Sequence, residues 1–125
     1  MIQGVVRSGC GRASKAFRPQ RTMEVRRMFG WTPYPGTLNL RVGALAEVLA
    51  SLPEPMALTE HETPIGPLRW WSALIRIPML SEPVKGALVR GQNTKTGYLE
   101  LVAPVNFRAL GLKDGDPVSL ELIER

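Results

Sequence analysis

A chain of 125 residues with 44% apolar and 22% charged side chains has the composition of a soluble globular protein with one hydrophobic core, so residues 1–125 are expected to form a single domain. It has no apolar run near the roughly 20 residues of a membrane-crossing helix, and Met1 to Gly4 lacks a secretory layout. The lone Cys10 and lone His61 exclude an internal disulfide and a Cys/His zinc centre, so a cytoplasmic compartment is expected. A net charge of +5 and a pI near 10 point to anionic partners, whether nucleotide phosphates, nucleic acid or acidic lipid. Half of the sixteen basic residues precede position 43, with Arg18, Arg21, Arg26 and Arg27 close together; a solvated basic face explains them equally well.

In chain order, Met1 to Ser8 alternates as a strand and runs into the glycine elbow Ser8-Gly9-Cys10-Gly11. Thr22 caps a short predicted helix with Val25, Met28 and Phe29 at helical spacing and Gly30 as terminator. Pro35-Gly36 then turns the chain into a strand, where Thr37, Asn39 and Arg41 share one face and Leu38, Leu40 and Val42 the other. Gly43 to Leu52 reads as a helix, because Leu45, Val48, Leu49 and Leu52 fall at i, i+3, i+4 and i+7 before Pro53. Further strands follow at Met56 to Thr59, Leu68 to Ile77, Gly86 to Arg90, Tyr98 to Ala103 and Val118 to Ile123. Between them lie a loop bounded by Pro78 and Pro83, a polar loop from Gly91 to Gly97, one helical turn at Pro104 to Leu110, and the turn Lys113-Asp114-Gly115-Asp116. Many short strands with one or two short helices predict a mainly β fold, a compact barrel with inserted helices.

A few residues in this layout could carry chemistry. Thr37 and Asn39 present a hydroxyl and an amide oxygen on one strand face; they suit either Mg²⁺, whose shell substrate phosphates complete, or local backbone hydrogen bonds. Gly9-Cys10-Gly11 with Arg12, Ser14 and Lys15 is a glycine loop edged by cations, able to approach phosphates or simply to turn. It matches neither the Rossmann nor the Walker spacing, and Cys10 reads as a small filler. Glu100 interrupts an apolar strand, either as an outward position or as an acceptor for a substrate hydroxyl proton. Arg108 either clamps a ligand or is solvated, and His61 reads as a surface-loop residue. Trp70 and Trp71 point to opposite faces of one strand, so at most one enters the core; the other stacks on a planar ligand or covers a loop.

In order along the chain, these motifs resemble the archaeal-type CTP-dependent riboflavin kinases. The resemblance rests on Ser8-Gly9-Cys10-Gly11, on Pro33-Tyr34-Pro35-Gly36-Thr37-Leu38-Asn39-Leu40, on Ala103-Pro104 with Phe107-Arg108, and on Gly111-Leu112-Lys113-Asp114-Gly115-Asp116. It implies a six-stranded cradle-loop barrel that transfers the γ-phosphoryl of CTP to the 5′-hydroxyl of riboflavin, giving FMN and CDP. Carried over by position, Thr37 and Asn39 resemble the Mg²⁺ ligands. Gly9, Cys10, Gly11, Arg12, Ala13, Ser14 and Lys15, with Val105, Asn106, Phe107 and Arg108, resemble the nucleotide contacts. Thr94 (or Thr96) and Glu100 resemble the flavin contacts, with Glu100 orienting the attacking hydroxyl. The elbow departs from the family pattern, reading Gly11-Arg12-Ala13-Ser14-Lys15 where relatives carry a further glycine. The expected partners are riboflavin or FMN and CTP or CDP, without membrane or nucleic acid, for a monomer. Two rival readings are a DNA-binding barrel like the AbrB-type regulators, which share the terminal LKDGD turn, and a relative that binds flavin or nucleotide without catalysis.

Overall fold

The computed structural model describes residues 1–7, 29–34, 37–58, 68–91 and 97–123. The elbow after Ser8, the Thr22 helix up to Met28, His61, and Thr94 with Thr96 lie outside the described residues. The elements are β1 (Ile2–Arg7), β2 (Leu38–Arg41), α1 (Leu45–Ser51), β3 (Met56–Leu58), β4 (Leu68–Arg76), β5 (Val84–Gly91), β6 (Tyr98–Val102) and β7 (Pro117–Leu122).

The strands hydrogen-bond in the order β4-β5-β6-β2-β1-β7, and β7 pairs back onto β4, closing an antiparallel barrel of six strands. Strand β4 makes closure possible by its length: its first half pairs with β3 and its second half with β7 along the same edge. The mainly β barrel expected from the sequence is therefore the observed fold.

Alternation of side chains decides what fills it. Val6, Leu38, Leu40, Trp71, Ala73, Ile75, Leu88, Leu99, Leu101, Val118 and Leu120 point inward and are buried. The apolar stripe of α1, continued by Leu52, packs against this core as its helical spacing predicts. Trp71 enters the core and keeps its indole satisfied, its Nε1 donating to the Pro53 carbonyl at 2.8 Å. Trp70 points outward yet is buried too. Phe29 meets its ring edge-on at 5.0 Å and stacks on Trp31 at 4.7 Å. The second tryptophan thus lies under the 29–31 segment.

Among the described glycines, the closest packing is at Gly86 on β5, beside the end of β6. A Cβ built on Gly86 would stand 2.5 Å from the Val102 carbonyl oxygen and 2.7 Å from Ile75 Cδ1, whereas one on Gly43 would meet nothing within 4 Å. Gly86→Ala is expected to cost about 1–3 kcal/mol by overpacking and to lower Tm by roughly 4–15 °C. Gly43→Ala should leave Tm nearly unchanged in the same calorimetric comparison.

Candidate active site

Because β5, β6, β2 and β1 lie side by side, their register builds a row of outward side chains that the linear sequence separates widely. Val89 pairs with Glu100, Glu100 with Asn39, and Asn39 with Arg7; Trp70 extends the row beyond Val89. Directly opposed residues on antiparallel strands have Cβ atoms about 4.5–5.5 Å apart. The amide of Asn39 and the carboxylate of Glu100 are therefore immediate neighbours on one face.

The outer surface beside Glu100 is unusually dry. Ala87, Val89, Val102, Phe29 and Trp70 are all buried although they lie outside the barrel interior. Glu100 is itself half-buried, and this burial raises its carboxyl above the ordinary range; the Arg90 guanidinium pulls in the opposite direction without cancelling it. Burial, with Arg69 as a second cause, lowers Arg90, whose Nη1 donates to the Tyr98 carbonyl at 3.4 Å. Among the described residues Trp70 Nε1 is the buried side-chain polar atom that has no hydrogen-bond partner.

Thr37, just ahead of β2, is half-buried and lines a cavity of about 90 Å³ together with Tyr34 and Val105, Asn106, Phe107 and Arg108. This wall is built by local hydrogen bonding. Phe107 is buried and anchors a turn in which Leu112 N donates to the Phe107 carbonyl at 3.1 Å and Gly111 N to the Arg108 carbonyl at 3.0 Å. Gly111 closes the turn at φ +103°, a conformation that side chains resist. The predicted helical turn is thus a hydrogen-bonded loop, since only residues 107–111 curl this way.

Asn106 Oδ1 accepts from Ala109 N at 3.2 Å, while its Nδ2 donates to the Tyr34 hydroxyl at 3.0 Å. Arg108, on the cavity wall, is held by Asp114 at 2.6 Å. A larger open groove of about 730 Å³, bordered by Gln3, Arg41, Arg76 and Ser119, includes Arg41 from the Thr37–Asn39 strand face but none of the candidate metal, nucleotide or flavin residues. The candidate residues therefore gather at the smaller cavity and along the β2–β6 register, away from the larger groove.

The sequence model of the CTP-dependent riboflavin kinases, described as a domain of unknown function (DUF120), matches residues 6–122. The chain belongs to the CTP-dependent riboflavin kinase family. It is a kinase of that family, and several named relatives agree. A riboflavin kinase of Aeropyrum pernix is 38% identical over 128 residues, covering 99% of this chain and 96% of the relative. One of Methanothermobacter thermautotrophicus is 36% identical over 102 residues, covering 79% of each. One of Thermococcus kodakarensis is 32% identical over 129 residues, covering 99% of this chain but 59% of that longer protein.

Within this riboflavin kinase family fold, the described residues chosen from sequence fall into two groups: Asn39 with Glu100, and Thr37 with Val105 to Arg108. Gly9 to Lys15 and Thr94 lie outside the described residues. Three neighbours were not picked out as site residues. Arg7 joins the row only through strand register, Asp114 through a fold of the chain onto Arg108, and Tyr34 through its place on the cavity rim. Only Tyr34 carried a local hint, being an aromatic inside the Pro-Tyr-Pro-Gly turn.

Proposed function

We propose that this protein transfers the γ-phosphoryl group of CTP to the 5′-hydroxyl of riboflavin, giving FMN and CDP with Mg²⁺ as cofactor. What supports this reading is that Asn39 faces Glu100 across paired strands, while Thr37, two residues earlier, lines one cavity with Val105 to Arg108. Among the described residues no three His, Cys, Asp or Glu side chains gather as a metal cluster. An ion here would be held by the neutral oxygens of Thr37 and Asn39, and such a donor set suits Mg²⁺ completed by phosphate oxygens and water. When bound, that ion supplies neutralisation of the charge spread over the phosphates.

The chain's own residues do the positioning. The Cys10 to Lys15 elbow would cradle the phosphates with backbone N–H groups and the Lys15 ammonium, and residues 105–108 would hold the nucleoside end. Thr94 and Glu100 would hold the flavin side. The riboflavin 5′-oxygen forms the new bond to the γ-phosphorus as the bond to the β,γ-bridging oxygen breaks, and CDP leaves. The hydroxyl proton passes to the Glu100 carboxylate, whose raised pKa makes it a better acceptor near neutrality than an ordinary surface glutamate. No helix among the described residues is long and apolar enough to cross a membrane, in keeping with water-soluble substrates.

The test is an assay with riboflavin, Mg²⁺ and each of the four nucleoside triphosphates, following FMN by chromatography. CTP is expected to support the fastest formation. FMN formation with ATP alone would reassign the donor, and none with any nucleotide would overturn the kinase reading.

A further inference from the structure

Tyr34 is the exposed aromatic ring of the described residues, 46% accessible, whereas Trp70, Trp71, Phe29 and Phe107 are buried. Its position is nevertheless fixed. Its backbone N–H donates to the Ala103 carbonyl at 2.8 Å, and its hydroxyl meets Asn106 Nδ2 at 3.0 Å. A ring that is held at both ends and still half in water, on the rim of the cavity lined by Thr37 and Arg108, has an unused face.

The hydrogen bonds around Asn106 also decide the direction of the phenol. Ala109 N is a donor, so the Asn106 atom that it meets at 3.2 Å must be the carbonyl oxygen. The Asn106 amide nitrogen therefore faces Tyr34, and the phenol oxygen acts as acceptor in that contact. The Tyr34 proton remains free to point elsewhere, as a donor at the cavity mouth. An open aromatic face offers a nucleobase a stacking platform, and the phenolic proton, which lies in the ring plane, can meet an oxygen of the sugar or phosphate beside the stacked base.

We infer that Tyr34 is a further nucleotide-binding residue of the phosphoryl-donor site, stacking on the pyrimidine base while its in-plane phenolic proton is donated to an oxygen beside that base, on the sugar–phosphate part of the nucleotide. This deepens the kinase reading and rests on it. Stacking is worth enough that Tyr34→Ala should raise the KM for CTP about 5- to 100-fold. Tyr34→Phe keeps the face and loses only the donor, so its rise should be about 2- to 10-fold. In both variants kcat and the KM for riboflavin should stay near wild type, and Tm should hold because the ring is exposed.

The decisive measurement is FMN formation by wild type, Tyr34→Phe and Tyr34→Ala with CTP and riboflavin varied separately. A graded rise in the CTP KM, largest for Tyr34→Ala, supports the assignment. Equal losses in the two variants would make Tyr34 only a support for Asn106, and would overturn it. So would an unchanged CTP KM, or a shift confined to the riboflavin KM. A wild type that forms no FMN with any nucleotide would instead overturn the kinase reading on which the inference stands.

Discussion

Glu100→Gln is expected to lower kcat by about 10²-fold or more while leaving the protein folded, and at neutral pH slightly more heat-resistant than wild type. The two effects have one cause. Burial of the Glu100 side chain on the dry outer face raises its pKa, and Arg90 offsets only part of that. A raised pKa improves a proton acceptor working near neutrality, because the ionised form is still present there and holds a proton more firmly. The same shift has a definite sign in stability. The folded chain binds this proton more tightly than the unfolded chain, so Glu100 contributes stability below the ordinary carboxyl range. That contribution is lost as pH rises through the raised folded-state pKa. At neutral pH the fold therefore carries a partly desolvated carboxylate, which glutamine replaces with a neutral amide of similar shape.

Two measurements separate the causes. A pH series of kcat should fall on the acid side through the Glu100 titration in wild type, with that limb absent in Glu100→Gln. Calorimetry should show a Tm advantage for Glu100→Gln at neutral pH that closes as pH drops below the ordinary carboxyl range. A variant that keeps full turnover would remove Glu100 from proton transfer. One that loses turnover and Tm together would make it a structural residue.

What the sequence discloses depends on how local each cause is. The stripe Leu45, Val48, Leu49, Leu52 discloses α1, because helical spacing is a property of adjacent turns. Alternation likewise discloses which faces of β2 and β6 turn into the barrel, and the resemblance supplies its six-stranded form. Strand ends are less legible. β5 runs from Val84 rather than Gly86, because Val84 and Lys85 are recruited by pairing with Ile75 and Leu74. Periodicity on its own favours an outward Glu100 on a half-buried strand; the side chain does lie on the outer face, and its own partial burial is a tertiary effect. Its nearness to Asn39 is invisible without register, which no single strand encodes. Arg108 could be read as a clamp or as solvated; it is exposed on the cavity wall, and its pairing with Asp114 across the turn at Gly111 is a contact that neither reading contained. Trp70 illustrates the same limit: alternation sends it outward, and only tertiary cover from Phe29 buries it.

Asn39→Ala is expected to raise the Mg²⁺ concentration needed for half-maximal turnover by at least about 10- to 100-fold, the scale on which even outer-shell partners of a metal act. The residue is chosen over Thr37 for this test because of its neighbour. Asn39 stands directly across from Glu100, so a neutral amide is the strongest oxygen donor that this position tolerates without pressing a second negative charge on the Glu100 carboxylate. Asn39→Asp makes the contrast. A carboxylate would bind Mg²⁺ readily by itself, but opposite Glu100 it forms a like-charge pair and drives the Glu100 pKa further up. The acid limb of the kcat profile should therefore move to higher pH in Asn39→Asp, while in Asn39→Ala it should stay near wild type at saturating Mg²⁺. The measurement is FMN formation across Mg²⁺ concentration at several pH values for the three proteins. Unchanged Mg²⁺ dependence in Asn39→Ala would take the metal away from this strand. An unmoved acid limb in Asn39→Asp would mean that the two side chains, though paired in register, do not share one electrostatic site.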